Sequence, residues 1–184
     1  AGRHLLQPWE EQLARLGGMI VGHRTDFVEG LAQAAWAAHS NICGQAELLE
    51  AEYCPSRRAE DLLEALQSRQ EQDIRLGTTS VGPHRDDLLV RIDGKDTRVY
   101  ASQGQQRTAA LSLKIAQLRL MEQEMGEPPL LMLDDVLSEL DQERQSQLFE
   151  AVEGVQMIIS CTDAARLPRQ GRVFRVQQGR LLAD

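Results

Sequence analysis

The run Pro129-Leu130-Leu131-Met132-Leu133-Asp134-Asp135 most constrains what this chain can become. Apolar residues pass without alternation into two carboxylates, and Ser138-Glu139-Leu140-Asp141 follows at once. A short, unalternated apolar run reads as a strand buried in a parallel sheet. Ligands of open α/β sheets gather at the carboxyl ends of such strands. Two acids placed there can hold a hydrated Mg²⁺ and orient or deprotonate a water. The same residues would serve equally well as acidic punctuation of a turn. A second element is needed to decide between the two.

That element lies upstream. Ala101-Ser102-Gln103-Gly104-Gln105-Gln106-Arg107 opens a helix predicted over about 104–125, with Leu111, Ile115, Leu118 and Met121–Met125 on its apolar face and Leu113 and Leu120 flanking it. Ser102 suits the N-cap. A hydroxyl, a glycine and unpaired backbone N–H groups at a helix start make a natural anion site. Taken alone, Ser102 and Gly104 would do no more than cap the helix.

The chain has 184 residues, which fits one domain or two small ones, and at 42% hydrophobic it can bury an ordinary core. A net charge of -8 excludes a basic surface all over the molecule. Positive charge concentrates near the C-terminus, in Arg166, Arg169, Arg172, Arg175 and Arg180, so phosphate contacts from these residues would be local. Cys43, Cys54 and Cys161 contain no C-x-x-C pair, which points to neither a zinc framework nor disulfides and fits a reducing, cytoplasmic setting. No apolar run approaches membrane-span length. The start at Ala1, in polar sequence, reads as part of something longer or as a processed terminus.

Residues 8 to about 40 read as one long helix, with Pro8 in its first turn. Leu13, Ile20, Phe27 and Ala34, with Leu16, Leu31 and Ala38 at the offset, suggest a heptad seam against another helix. Gly17-Gly18 suggests a bend. His23 and His39 read as surface or seam residues, no acid or cysteine partner standing out at ligand spacing. Residues 45–54 fit strand or helix equally. Ser56 suits the N-cap of a helix over about 57–76, which Gly77 would stop. Residues 1–77 thus form a mostly helical, acidic, arm-like unit.

At Thr78 the character changes. Residues 78–184 open on a polar loop, Gly82-Pro83-His84-Arg85-Asp86-Asp87. Asp93-Gly94 then promises a hairpin between Leu88–Ile92 and Thr97–Tyr100. After the 129–135 run come a helix over about 140–153 and a strand, Gln156–Cys161, ending in hydroxyls. A last strand or hairpin covers 172–182.

In this order, Ser-x-Gly-Gln-Gln, a six-turn helix, an apolar strand ending Asp-Asp, Ser-x-Leu-Asp, a helix and a second apolar strand resemble the signature, Walker B, D-loop and switch of ABC-type ATPase heads. Residues 82–87, 102–107 and 133–141 are similar to the motifs of the RecF family of recombinational-repair ATPases. The resemblance spans roughly 78–165, and the arm fits in character only. It implies an α/β fold: a partial ABC-type head with an inserted helical arm. It also implies ATP and Mg²⁺ as cofactors, an ATP-dependent homodimer, DNA binding at single/double-strand junctions, and loading of RecA with RecO and RecR. Carried over, Ser102, Gln103, Gly104, Gln105 and Arg107 would meet ATP held by the partner subunit. Asp134 would hold Mg²⁺ through water, and Asp135 would position the attacking water. Ser138 and Asp141 would form the D-loop, and Thr162 would take the switch position.

Several traits depart from the general ABC pattern. The signature reads Ser-Gln-Gly-Gln, an Asp stands where many heads carry Glu, and Thr162 replaces the usual His. The RecF resemblance implies the same traits. No G-x-x-x-x-G-K-[ST] occurs in the 184 residues. The resemblance therefore implies a C-terminal part of the protein that would not hydrolyse ATP alone. Two alternatives remain: a non-catalytic module that binds DNA or protein, and the head of another SMC-like ATPase.

Overall fold

Helix α1 (Arg3–Cys43) is the spine of the molecule. At 1.5 Å per residue it is about 60 Å long. The computed structural model describes residues 3–43, 46–162, 167 and 171–182, and the side chains of all these except 3, 4, 138 and 139. The elements after α1 are β1 (Leu49–Cys54), α2 (Leu62–Leu76), β2 (Asp87–Ile92), β3 (Lys95–Asp96), α3 (Thr97–Tyr100) and α4 (Gln103–Met125). β4 (Leu131–Asp134), α5 (Gln142–Ala151), β5 (Met157–Ser160), β6 (Arg175–Gln177) and β7 (Arg180–Leu182) complete the chain.

Three apolar clusters lie along α1. Val21 packs with Leu62, Leu66 and Val81. Leu31 and Ala35 pack with Leu49, Ile92, Ala109 and Ala116. Ala38 and Ile42 join the cluster that α4, β4 and α5 build around Leu111, Ile115, Leu133 and Leu148. Helix α4 is thus buried on two sides, while Met121 and Met125 near its end are exposed.

The buried face of α1 differs from the expected seam. Leu31 and Ala38 are buried as expected, but they pair with Val21, Ala35 and Ile42, one residue round from Ile20, Ala34 and the rest. Leu13, Ile20 and Phe27 are 51%, 43% and 47% exposed. Close helix packing against Ala109 and Ala116 selects small side chains, so the largest aliphatics do not mark the contact line. Gly17-Gly18 marks a close approach and no break in the helix. A Cβ on Gly17 would stand 3.2 Å from Leu62 Cδ1, and one on Gly18 3.5 Å from the Ala59 side chain. Pro8 lies inside α1.

The antiparallel sheet runs β1-β2-β3 and pairs Leu49 with Ile92 and Cys54 with Asp87, across the expected boundary at 77/78. Residues 49–54 are therefore strand. Ser56 caps no helix: the helical turn starts at Ala59 behind Arg58, and the Ser56 hydroxyl instead donates to the Gly82 carbonyl and accepts from the Gly82 amide. Gly77 ends α2 in the left-handed conformation at φ 64°. The Asp93-Gly94 turn is tight, with positive φ at both residues. The strand after it stops at Asp96, whose carboxylate accepts from Arg98 N and so starts a helical turn where residues 97–100 were expected to continue the hairpin.

β4 and β5 pair in parallel, Leu131 with Met157 through Asp134 with Ser160. Leu131, Leu133, Met157 and Ile159 turn toward the core. The opposite face is bare, with Met132 70% and Ile158 53% exposed. A strand expected to be buried on both sides is therefore covered on one. β6 and β7 form the terminal hairpin, which packs Arg172 over the Phe174 ring. Arg166 and Arg169 lie outside the described residues. Among the described residues no helix is long and apolar enough to cross a membrane.

Candidate functional site

The carboxyl ends of β4 and β5 form the first of two functional groups. Asp134 ends β4 beside Ser160. The Ser160 hydroxyl donates to Asp134 Oδ1 and accepts from the Asp135 N–H at 2.9 Å. One hydroxyl thus ties both acids to the neighbouring strand. Asp135 takes the left-handed conformation at φ 51°, where its carboxylate leaves the strand line. Both acids are exposed. Carboxylate oxygens facing water suit a hydrated Mg²⁺, which keeps several waters and takes few protein ligands. Thr162 lies two residues past Ser160 and is exposed.

The start of α4 is the core of the second group. Ser102 and Gln105 form a capping box: Ser102 Oγ accepts from Gln105 N at 3.2 Å, and Gln105 Oε1 accepts from Ser102 N at 2.9 Å. No intrahelical carbonyl reaches the Gln103 and Gly104 amides. The Ser102 hydroxyl accepts in the cap, so its own hydrogen remains for an outside acceptor. Gln105 is committed within the chain, its Nε2 donating to Glu47 Oε1 at 3.0 Å. It would have to leave both partners to reach a nucleotide. Gln103 and Arg107 are exposed on the first turns.

Between the two groups a 3-10 turn, Val136–Glu139, leads to α5. Gln145 Nε2 donates back to the carbonyls of Leu137 and Leu140, at 2.8 and 3.0 Å, and fixes this turn. The Ser138 side chain lies outside the described ones. Asp141 caps α5 by accepting from Arg144 N, and also pairs with the Arg144 guanidinium at 3.1 Å. A Cβ on Gly104 would stand 3.7 Å from that guanidinium. The structure thus brings Gly104 and Asp141–Arg144 together, and Asp134–Asp135 and Ser160 together.

The 82–87 loop is held by Asp86, whose side chain is 2% exposed. It accepts from Ser56 N at 2.8 Å, from the Tyr53 hydroxyl and from Arg24, which also donates to the Pro83 carbonyl. Burial pushes its carboxyl up, but the Ser56 amide, the Tyr53 hydroxyl and Arg24 together hold it below the ordinary range. Burial, and then donation to Asp86, raise the Tyr53 hydroxyl. This loop is a fastener between α1, β1 and β2.

Sequence reasoning missed Ser160, Arg144 and the pair His39–Glu47. The ending of β5 in hydroxyls pointed toward Ser160. His39 is fully buried, at 3.3 Å from Glu47, with Cys43 one helical turn away. Contrary to the expectation from sequence, a cysteine does stand at ligand spacing from His39, four residues on. Burial lowers the His39 pKa against the opposing pull of Glu47, and burial raises the Cys43 thiol.

Comparison with known proteins gives a consistent picture. No family model matches the chain. It is 41% identical over 178 residues to the "DNA replication and repair protein RecF" of Lachnoclostridium phytofermentans, covering 95% of this chain and 49% of that protein. It is 42% identical over 197 residues to the protein of the same name from Symbiobacterium thermophilum, covering 98% and 52%. A structure described as "Structure of the recombination mediator protein RecF-ATP in RecFOR pathway" superposes with a TM-score of 0.82 at 36% identity, over 100% of this chain and 52% of that one. A second, described as a RecF-ATPrS complex of the same pathway, gives 0.79 at 36% identity, over 98% and 51%. The chain spans about half the length of the relatives it matches.

Proposed function

We propose that this chain, a RecF-type sequence spanning about half of its relatives, is the signature, Walker B and D-loop half of an ABC-type ATPase head. In this reading residues 1–77 supply the arm and residues 78–184 the half-head, the two joined by the β1–β2 pairing and by the end of α1 in the α4–β4–α5 core. The whole protein would bind ATP, dimerise head to head around two nucleotides and bind gapped DNA. It would support RecA loading with RecO and RecR, and slow hydrolysis would reset it.

The supporting observation is the Asp134–Asp135 pair at the carboxyl end of a parallel strand, restrained by Ser160, in a chain whose α4 starts with a capped Ser102. Asp134 would hold the metal through water, and Asp135 would orient the attacking water. Mg²⁺, when bound, neutralises charge on the phosphates. Ser102, through its unused hydrogen, and the Gln103 and Gly104 amides would stabilise phosphoryl charge on a nucleotide held by the partner. Gln105 would position that helix start. Ser138 and Asp141 would meet the partner as the D-loop, and Thr162 would stand at the switch. The bare face carrying Met132 and Ile158 is where another layer of the head would pack. This reading places the phosphate-cradling loop outside the 184 residues.

Ser102→Arg in the intact protein tests the trans-signature role. A bulky cation there should abolish ATP-dependent dimers in sedimentation while the monomer stays folded. Unchanged dimerisation and DNA affinity would refute the assignment.

A further inference from the structure

We propose that His39, Cys43 and Glu47 bind one Zn²⁺ ion, held behind the start of α4. Their ligand atoms lie within 4.8 Å of one another. His39 and Cys43 stand one turn apart at the end of α1, and Glu47 follows on the way to β1.

The hydrogen bonds around His39 carry the argument. Ser112 spends its one hydrogen on the Thr108 carbonyl at 2.8 Å. With that hydrogen on the Thr108 carbonyl, the contact with His39 Nδ1, at 3.1 Å, takes the hydrogen from the imidazole. In the neutral ring, Nε2 then carries a lone pair and points it at Glu47 Oε2, 3.3 Å away. In this tautomer the two facing acceptors call for a positive charge between them, either a second ring proton or a metal ion. The ring is fully buried, which penalises imidazolium. Cys43 Sγ supplies a third donor that a proton bridge does not use.

Imidazole nitrogen, thiolate and carboxylate together match Zn²⁺ and disfavour Mg²⁺ or Ca²⁺. Water would complete a four-coordinate site. The atoms turned away from the metal are already held, His39 Nδ1 by Ser112 and Glu47 Oε1 by Gln105. Outer hydrogen bonds of this kind orient metal ligands. Arg144 also reaches Cys43, and can turn wholly to Asp141, its ion-pair partner, when the thiolate takes the metal. The site stands independently of the nucleotide reading, although Gln105 joins it to the α4 start.

Co²⁺ is the spectroscopic stand-in for the test. The metal-free chain should bind one equivalent and develop thiolate-to-metal charge transfer with tetrahedral d–d bands, which Zn²⁺ then bleaches. Cys43→Ser, with folding checked by circular dichroism, should lose the charge-transfer band, while Cys54→Ser and Cys161→Ser keep it. Zn²⁺ should raise the melting temperature of the parent chain and leave that of Cys43→Ser unmoved. The proposal is overturned by absence of the band, by its survival in Cys43→Ser, or by its loss only in the other two variants.

Discussion

Asp134 and Ser160 face each other across the parallel β4–β5 ladder, and the Ser160 hydroxyl donates to the Asp134 carboxylate. The same oxygen accepts from the Asp135 amide. The two acids are therefore aimed by a neighbouring strand as well as by their own turn.

Ser160→Ala removes that restraint. The site is exposed, so water can replace the lost bonds, and stability should fall by only about 1 kcal/mol. Turnover of the intact protein should fall more visibly, about 10-fold, equivalent to about 1.4 kcal/mol of barrier. Steady-state ATPase assays on the folded variant decide it, and unchanged turnover would remove Ser160 from the machinery.

Asp135→Asn keeps the shape of the side chain and removes its charge. ATP binding by the intact protein should persist while hydrolysis stops. Normal hydrolysis by this variant would end the water-positioning role.

Gly17 and Gly22 separate packing from propensity on a single helix. Gly17→Val puts carbon where Leu62 and Pro83 already stand and should cost about 1–3 kcal/mol. Gly22 has nothing within 4 Å of a Cβ, so Gly22→Ala should gain up to about 1 kcal/mol from helix propensity. Chemical denaturation of both variants checks the pair, and equal effects would contradict the packing of α1 on Leu62.

Asp86 gives the fold an acid-sensitive fastener. Its folded pKa lies below the ordinary 3.8, so the folded chain holds fewer protons than the unfolded chain in that range. Its contribution is complete well above 3.8 and is lost as pH falls from there through the lower folded value. Asp86→Ala, which leaves the Ser56 amide and the Tyr53 hydroxyl without their acceptor, should cost about 1–3 kcal/mol at neutral pH. It should also flatten the acid limb of stability against pH; a limb as steep as the parent's would count against this assignment.

The sequence showed plainly whatever depends on local chemistry. The Ser102 cap, the left-handed Gly77, the Asp93-Gly94 turn and the apolar run into Asp134 each rest on a few neighbouring residues, and each is present. Features decided by distant partners were hidden. The true face of α1 depends on small residues of α4, so Leu13, Ile20 and Phe27 misled. His39 gains its meaning from Glu47 and Ser112, eight and seventy-three residues away. The helical turn at 97–100 follows from the Asp96 cap, which outweighed the strand preference of Thr97, Val99 and Tyr100.

The most direct test of a split ATPase head is calorimetric titration with Mg-ATP, first on this chain alone and then after adding the P-loop segment of the intact protein. The account predicts no binding to the chain alone, and binding with slow hydrolysis once the two are mixed. Tight binding by the chain alone would place the phosphate site within these 184 residues and contradict the account.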